Sequence, residues 1–281
     1  YYMFVFNYSQ QFDKCFSDKS ISIGIVPTMG ALHDGHLSLI KKALSENDKV
    51  LVTIFVNPTQ FDDNLDLKSY PNELEKDLDK ISQFGENISV FTPDKSDVYG
   101  DEIHAKQYDL KELDNIMEGK IRKGHFQGVA TVVEYFLKTF SPTKAYFGEK
   151  DYQQLLIIKH LSKSLNLPTK IVGCPIVRAT DGLAMSSRNL LLSPEERKIA
   201  PEVYTGLKLA VKLAKKEKYK KIQTEVRAFF QNLSLIKLEY FIATDPFTLV
   251  EFKPNETIKS GRGFIAASLG EIRLIDNINM S

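Results

Sequence analysis

The sequence lacks several features that would each have pointed to a particular class of protein. It has no tryptophan and only two cysteines, Cys15 and Cys174, in 281 residues. Two thiols so far apart make neither a disulfide framework nor a cysteine-rich metal site, and reduced thiols in a cytoplasm fit them best. No run approaches the ~18 apolar residues that a membrane span needs, so no membrane partner is expected. The first residues, Tyr1 through Asn7, lack the basic start and small-residue cleavage site of a signal peptide. Charge of one sign is also missing: 37 basic residues stand against 36 acidic ones, for a formal +1. Such a chain has no field to hold a polyanion by counterion release, and no nucleic-acid partner is indicated. The longest basic stretch, Lys208 to Lys221, spaces its lysines as a solvated helix face does.

What is present is ordinary globular composition, 43% apolar and 26% charged, which describes a soluble folded protein. The length suits one large and one small domain. Short apolar runs at Ser22 to Val26, Lys49 to Val56, Ile88 to Phe91 and Lys144 to Phe147 alternate with stretches of helical period at Leu37 to Ser45, Pro71 to Phe84, Val129 to Phe140 and Tyr152 to Leu165. Strands alternating with helices predict βαβ units and a Rossmann-like, doubly wound parallel sheet, an α/β fold. After Met185 the pattern changes. Ser193-Pro194 opens a helix to about Lys216, a second helix covers Lys220 to Gln231, and strand-like runs follow at Leu238 to Ala243, Gly263 to Leu269 and Ile272 to Ile275. A smaller α+β domain with an antiparallel sheet is expected there, dividing the chain into residues 1–176 and 177–281.

The most informative stretch runs from Val26 to Leu37 and contains Met29-Gly30-Ala31-Leu32-His33-Asp34-Gly35-His36. It joins the first clear strand to the first helix, where open α/β sheets bind ligands and where a helix N-terminus favours phosphate oxygens. Glycines there admit close backbone approach. His33 and His36 are placed to donate to charge that builds on a leaving pyrophosphate, more strongly as imidazoliums than as neutral rings. A second strand end carries Gly148-Glu149-Lys150-Asp151, with Lys150 as a point charge for phosphate, Asp151 as a helix cap or a ribose acceptor, and Gln154 one turn on. Gln60, in Asn57-Pro58-Thr59-Gln60-Phe61, stands where an amide can orient a small hydroxy acid. Met185-Ser186-Ser187-Arg188 offers two hydroxyls and a guanidinium within four residues.

The His-x-Gly-His spacing resembles the signature of the nucleotidyltransferase superfamily, and Met185 to Asn189 resembles its flexible second phosphate loop. Taken with the R-x-G-H-F-x-G-V stretch from Arg122 to Val129, D-G-L-A-M-S-S-R-N from Asp181 to Asn189 and R-L-I-D-N from Arg273 to Asn277, the chain resembles the pantoate-β-alanine ligase family over nearly its whole length. The resemblance implies that Met29 to His36 and Gly148 to Asp151 hold ATP, with Val177 and Met185 to Arg188 closing over it. It makes His36 the proton donor, Gln60 and Gln154 the pantoate ligands with Gln60 also meeting β-alanine, and Asp77 an acidic position associated with Mg²⁺; in the mechanism expected, His33, His36, Lys150 and Arg188 act with the metal as the catalytic groups that spread the charge of the leaving groups. An adjacent acidic position of some members is Lys76 here, and a frequent proline is Lys123. A cytoplasmic homodimer is further implied.

The expected reaction is AMP-forming ligation through an acyl adenylate, with no protein nucleophile. A related nucleotidyltransferase, which would leave AMP attached to its product, and an ATP-binding scaffold without turnover are the alternatives.

Overall fold

The computed structural model describes residues 3–18, 20–61 and 64–280. These form two compact units, one of residues 1–149 and 153–175, the other of 150–152 and 176–281.

The first unit is built on six parallel strands in the order β1-β4-β3-β2-β5-β6. They are β1 (Phe4–Phe6), β2 (Ile23–Thr28), β3 (Lys49–Ile54), β4 (Ile88–Phe91), β5 (Lys144–Gly148) and β6 (Lys170–Cys174). The sequence pattern anticipates the four central strands; β1 and β6, which it does not, are the two edges. Order reverses between β2 and β5, whose residues Gly24 and Ile25 pair with Lys144 and Ala145. That reversal opens a crevice beyond the carboxyl ends of these strands, the usual ligand position in such a sheet. Helix α1 (Asp34–Glu46) packs Leu39, Ile40 and Ala43 against Val26, Val50, Val52 and Val90. An aromatic cluster is built from Phe6, Phe91, Phe136 and Phe140, with Phe91 and Phe140 crossing edge-on at 5.0 Å.

Between β3 and β4 lie helices α2 (Asn64–Ser69) and α3 (Leu74–Ser82). Short helices α4 (Lys95–Tyr99) and α5 (Met117–Ile121) precede α6 (His125–Phe140), which is buried on nearly every side. Helix α7 (Tyr152–Ser164) follows β5.

In the second unit, helices α8 (Pro194–Ile199), α9 (Glu202–Ala214) and α10 (Tyr219–Gln231) accompany a three-stranded antiparallel sheet of β7 (Lys237–Thr244), β8 (Arg262–Leu269) and β9 (Ile272–Asn279). The single helix expected from Pro194 to about Lys216 is two helices, because Pro201 has no N–H to continue the ladder. Ser193 caps α8 as predicted, its Oγ accepting the Glu196 N–H while the Glu196 carboxylate accepts the Ser193 N–H. Among the described residues no helix is long and apolar enough to cross a membrane.

Candidate active site

β2 ends at Thr28, and the chain leaves the sheet through two left-handed residues, Gly30 at φ +83° and Ala31 at φ +50°. The second is a non-glycine conformation costing about 1 kcal/mol, so something must hold it. The holder is Asp77 on α3, whose side chain has no exposed surface. Its two carboxylate oxygens accept the N–H groups of Ala31 and Leu32, each at 2.7 Å. Bonds to a charged acceptor contribute roughly 1.5–3 kcal/mol each, more than the local strain. One helical turn on, the Lys80 ammonium donates to the Leu32 carbonyl at 2.6 Å. Gly30 lies against the same carboxylate, since a Cβ there would stand 3.1 Å from Asp77 Oδ2. At Gly30 to Leu32 the backbone thus lies against Asp77, and the Ala31 and Leu32 side chains are buried.

The histidines sit one step further, where α1 begins. His33 is the cap: its Nδ1 accepts the Gly35 N–H at 3.1 Å, while His36 Nδ1 accepts the His33 N–H at 3.4 Å. The rings face one another with centroids 4.1 Å apart. Because both Nδ1 atoms accept backbone N–H groups, both rings carry their proton on Nε2. A second proton on Nδ1 would break the cap. The site therefore offers two neutral Nε2–H donors at a helix N-terminus, beside the exposed Asp34.

At the end of β3, a 3-10 turn of Pro58–Gln60 carries the predicted acid-binding amide. Gln60 is buried; its Nε2 donates to Met29 Sδ at 3.1 Å and its Oε1 accepts from Asn57 Nδ2 at 3.0 Å. Three residues not singled out as site residues from the sequence hold this turn. The Arg122 guanidinium, which can only donate, lies 3.2 Å from His125 Nε2, so His125 Nδ1 carries the proton and donates to the Gln60 carbonyl at 2.7 Å. Asn57, almost fully buried, also donates to the Gly128 carbonyl and accepts from Thr59 and Tyr99 hydroxyls. Gly128 permits this packing, because a Cβ there would come 2.3 Å from the Thr59 carbonyl oxygen. The R-x-G-H-F-x-G motif is thus the frame of the Gln60 turn, and its spacing was the available signal.

β5 closes with Gly148, one residue before a 3-10 turn of Glu149–Asp151. Gln153 is spent on structure, donating to the Leu113 and Ile116 carbonyls, whereas its neighbour Gln154 is half-buried. Lys150 to Tyr152 belong with the second unit. There Asn277 on β9 donates to the Lys150 carbonyl at 2.9 Å, and the Arg262 guanidinium lies 3.7 Å over the Tyr152 ring. The Lys150 ammonium is 3.5 Å from Asp151 Oδ1. Next to Asn277, Asp276 is buried and takes a two-pronged salt bridge from Arg178.

In the same unit, residues 177–185 fold back as a hairpin turned at Gly182, with the Met185 N–H donating to the Val177 carbonyl at 2.9 Å. That bond brings Val177 and Met185 together. Ser186 then caps a 3-10 turn of Ser187–Leu191, its Oγ accepting from the Arg188 N–H. Ser187 is buried and Arg188 half-buried.

Asp77 was also assigned to Mg²⁺. Mg²⁺ keeps several waters and needs accessible oxygen ligands, while Asp77 has zero exposure and both oxygens on amides. Its neighbour Lys76 and Lys80, three residues on, are cationic. Among the described residues no group of three or more His, Cys, Asp or Glu side chains is arranged for a metal ion. The residues present do not fit a resident metal.

A profile of the pantoate-beta-alanine ligase family matches residues 5–279. The chain belongs to this family. A pantothenate synthetase of Christiangramia forsetii is 48% identical over 260 residues, 92% of each chain, and one from Aquifex aeolicus is 46% identical over 263, 91% of this chain and 90% of its own. Of solved structures, a pantothenate synthetase from Thermus thermophilus aligns with a TM-score of 0.91 at 36% identity, over 99% of both chains. A pantoate-beta-alanine ligase from Francisella tularensis, described as complexed with beta-gamma ATP and beta-alanine, aligns at 0.80 with 38% identity over 99% of this chain and 98% of that one. These ligases share the parallel-sheet fold with the smaller antiparallel unit found here.

Proposed function

We infer that this chain condenses pantoate with β-alanine to pantothenate, consuming ATP and releasing AMP and pyrophosphate. The observation carrying this reading is the contact of Gln60 Nε2 with Met29 Sδ at 3.1 Å. It sets an amide suited to a hydroxy acid against the very loop that leads to the histidine pair. A thioether is a weak acceptor, and an oxygen of pantoate exchanges for it readily. The carboxylate so held attacks the α-phosphorus of ATP, and pyrophosphate departs. The amine of β-alanine then attacks the activated carbonyl, and AMP departs.

His33 and His36 supply Nε2–H donors from the first unit; Lys150 and Arg188 supply positive charge from the second. Their work is orientation and stabilisation of charge that grows on leaving oxygens. Gln154 is assigned to pantoate with Gln60. Met29 to His36, Gly148 to Asp151, Val177 and Met185 to Arg188 are assigned to ATP, with the Gly30 to Leu32 backbone acting through its shape. Mg²⁺ is assigned to the triphosphate of incoming ATP, and no step depends on a protein-bound metal. Cys174 fits a mechanism without a protein nucleophile, for burial pushes its thiol up to about 11. A smaller domain acting as a lid, a homodimer and a cytoplasmic location complete the proposal, the last two resting on the family and on two free thiols.

The test is an assay of pyrophosphate and AMP with pantoate and β-alanine omitted in turn. Pyrophosphate should require pantoate, and free AMP should require both acids. AMP retained on the product would reject the ligase reading in favour of nucleotidyl transfer.

A further inference from the structure

Two side chains one helical turn apart on α3 do nothing in the reaction as derived so far, yet they grip the most important loop of the first unit. Asp77 accepts the N–H groups of Ala31 and Leu32, and Lys80 donates to the Leu32 carbonyl. Successive N–H groups beside left-handed residues form a concavity that binds anions. In a loop read as a phosphate site, a phosphate is the expected occupant. Here the concavity is filled by the protein's own buried carboxylate.

We propose that Asp77 and Lys80 are positioning residues, which clamp residues 30–32 and thereby set the His33 and His36 rings, and that Asp77 is not a ligand for Mg²⁺.

The chain of contacts is short. His33 follows Leu32 directly, and the His33 N–H is the donor that His36 Nδ1 accepts. Rotating the 31–32 peptides turns that N–H and releases the cap that fixes both Nε2–H donors. Only a carboxylate satisfies two converging N–H groups, because an amide in its place turns an NH₂ toward one of them. Burial raises the Asp77 carboxyl above its ordinary value against the pull of the two amide bonds. The charge is therefore kept at some cost to the fold, as expected of a group retained for the geometry it imposes.

The inference rests on the ligase reading, and one set of experiments separates the two. In the nucleotide-free, Mg²⁺-free full chain, the His33 and His36 imidazole nitrogens are observed by NMR in the unaltered protein, D77N, D77E and K80M. Pyrophosphate release is then titrated with Mg²⁺ in each. For D77N we expect a loss of Nε2–H tautomer order at both rings and a fall in kcat of ~100-fold, the size seen when a reacting group is misplaced by about 1 Å. Half-saturation by Mg²⁺ should stay within about twofold of the unaltered chain, since the metal travels with the phosphates. D77E should recover part of the loss, and K80M, which removes one bond to a carbonyl, should lose ~10-fold.

Unchanged imidazole signals in D77N and K80M would overturn the proposal. So would a Mg²⁺ half-saturation raised tenfold or more in D77N with the rate restored at high Mg²⁺, which would return Asp77 to the metal. Should D77N not fold, K80M alone carries the imidazole comparison. Were the ligase reading itself wrong, no form would release pantoate-dependent pyrophosphate, while the imidazole signals would still report the clamp.

Discussion

The two loops assigned to phosphate are held in opposite ways. Residues 29–36 are gripped from several directions: Asp77 and Lys80 from α3, Gln60 through Met29, and the histidines through their own cap. Residues 185–191 run from a hairpin into a capped 3-10 turn, and their Asn189 Oδ1 is buried with no hydrogen-bond partner among the described residues, although Asn189 Nδ2 donates to the Ala184 carbonyl. Leu190 beside it is 65% exposed. A buried acceptor left unmet is costly and marks a place that rearranges at little further cost. On the proposed assignment the first loop is the preorganised one, and the second is the one expected to adjust when ATP binds.

The strongest way to break the comparison is to remove one donor from each unit. His36→Ala deletes an Nε2–H and half of the cap, and Lys150→Ala deletes an ammonium whose backbone Asn277 holds. Each should slow pyrophosphate release ~100- to 1000-fold, the usual cost of a lost transition-state donor. Near-normal release in either variant would remove that residue from the mechanism. A smaller loss is expected from Gly128→Ala, which leaves every catalytic side chain in place but drives a Cβ into the Thr59 carbonyl. Overpacking of that kind costs about 1–3 kcal/mol. Because the Gln60 turn takes the displacement, the KM for pantoate should rise ~10-fold while that for ATP stays level, and an equal rise in both would contradict the frame assigned to Gly128.

Amide exchange sharpens the same contrast without mutation. The Ala31 and Leu32 N–H groups, already bonded to Asp77, should exchange slowly in the free protein and gain little from an ATP analogue. The amides of 186–191 should gain at least ~10-fold protection, since this loop is the one proposed to close on ATP. Equal gains in both loops would mean the first is not preorganised.

Much of this site was readable in the sequence wherever the signal is local. His33 caps the helix that it precedes, and the turn, glycine and cap lie within eight residues, so the loop and its place after a strand could be inferred. The central strands followed from their short apolar runs, and Ser193 from its capping pattern. What could not be read is whatever depends on distant pairing. Asp77 reaches Ala31 across 46 residues and His125 reaches the Gln60 carbonyl across 65, so neither partnership leaves a local pattern. Lys150 lies between β5 and α7 in the chain yet is fastened through Asn277, 127 residues away, to the second unit. The division at 176–177 read from the change in strand and helix pattern has no means of seeing that three-residue exchange. The edge strand β1, three residues long with two exposed, is too short for periodicity to register.

The smallest expected effect compares two buried carboxylates of the first unit. Burial also penalises the charge of Glu134 on α6, but hydrogen bonds from Lys106, Lys138 and Tyr108 outweigh it and hold its carboxyl down at about 2. Asp77 has backbone amides instead, and burial wins, leaving its carboxyl raised. The two therefore act on stability with opposite sign. A depressed folded value means that Glu134 contributes fully above its unfolded value of ~4.3, and that this contribution drains away as pH falls toward 2. A raised folded value means that the unfolded chain ionises Asp77 first, so the fold loses stability as pH rises through the interval above ~3.9. Urea midpoints across pH 3 to 6 should accordingly show E134Q approaching the unaltered chain as pH falls, and D77N gaining on it as pH rises. Parallel pH profiles for the two variants would show that the carboxylates are not held by the different partners described, and the contrast between a charge kept for geometry and a charge kept for stability would fail.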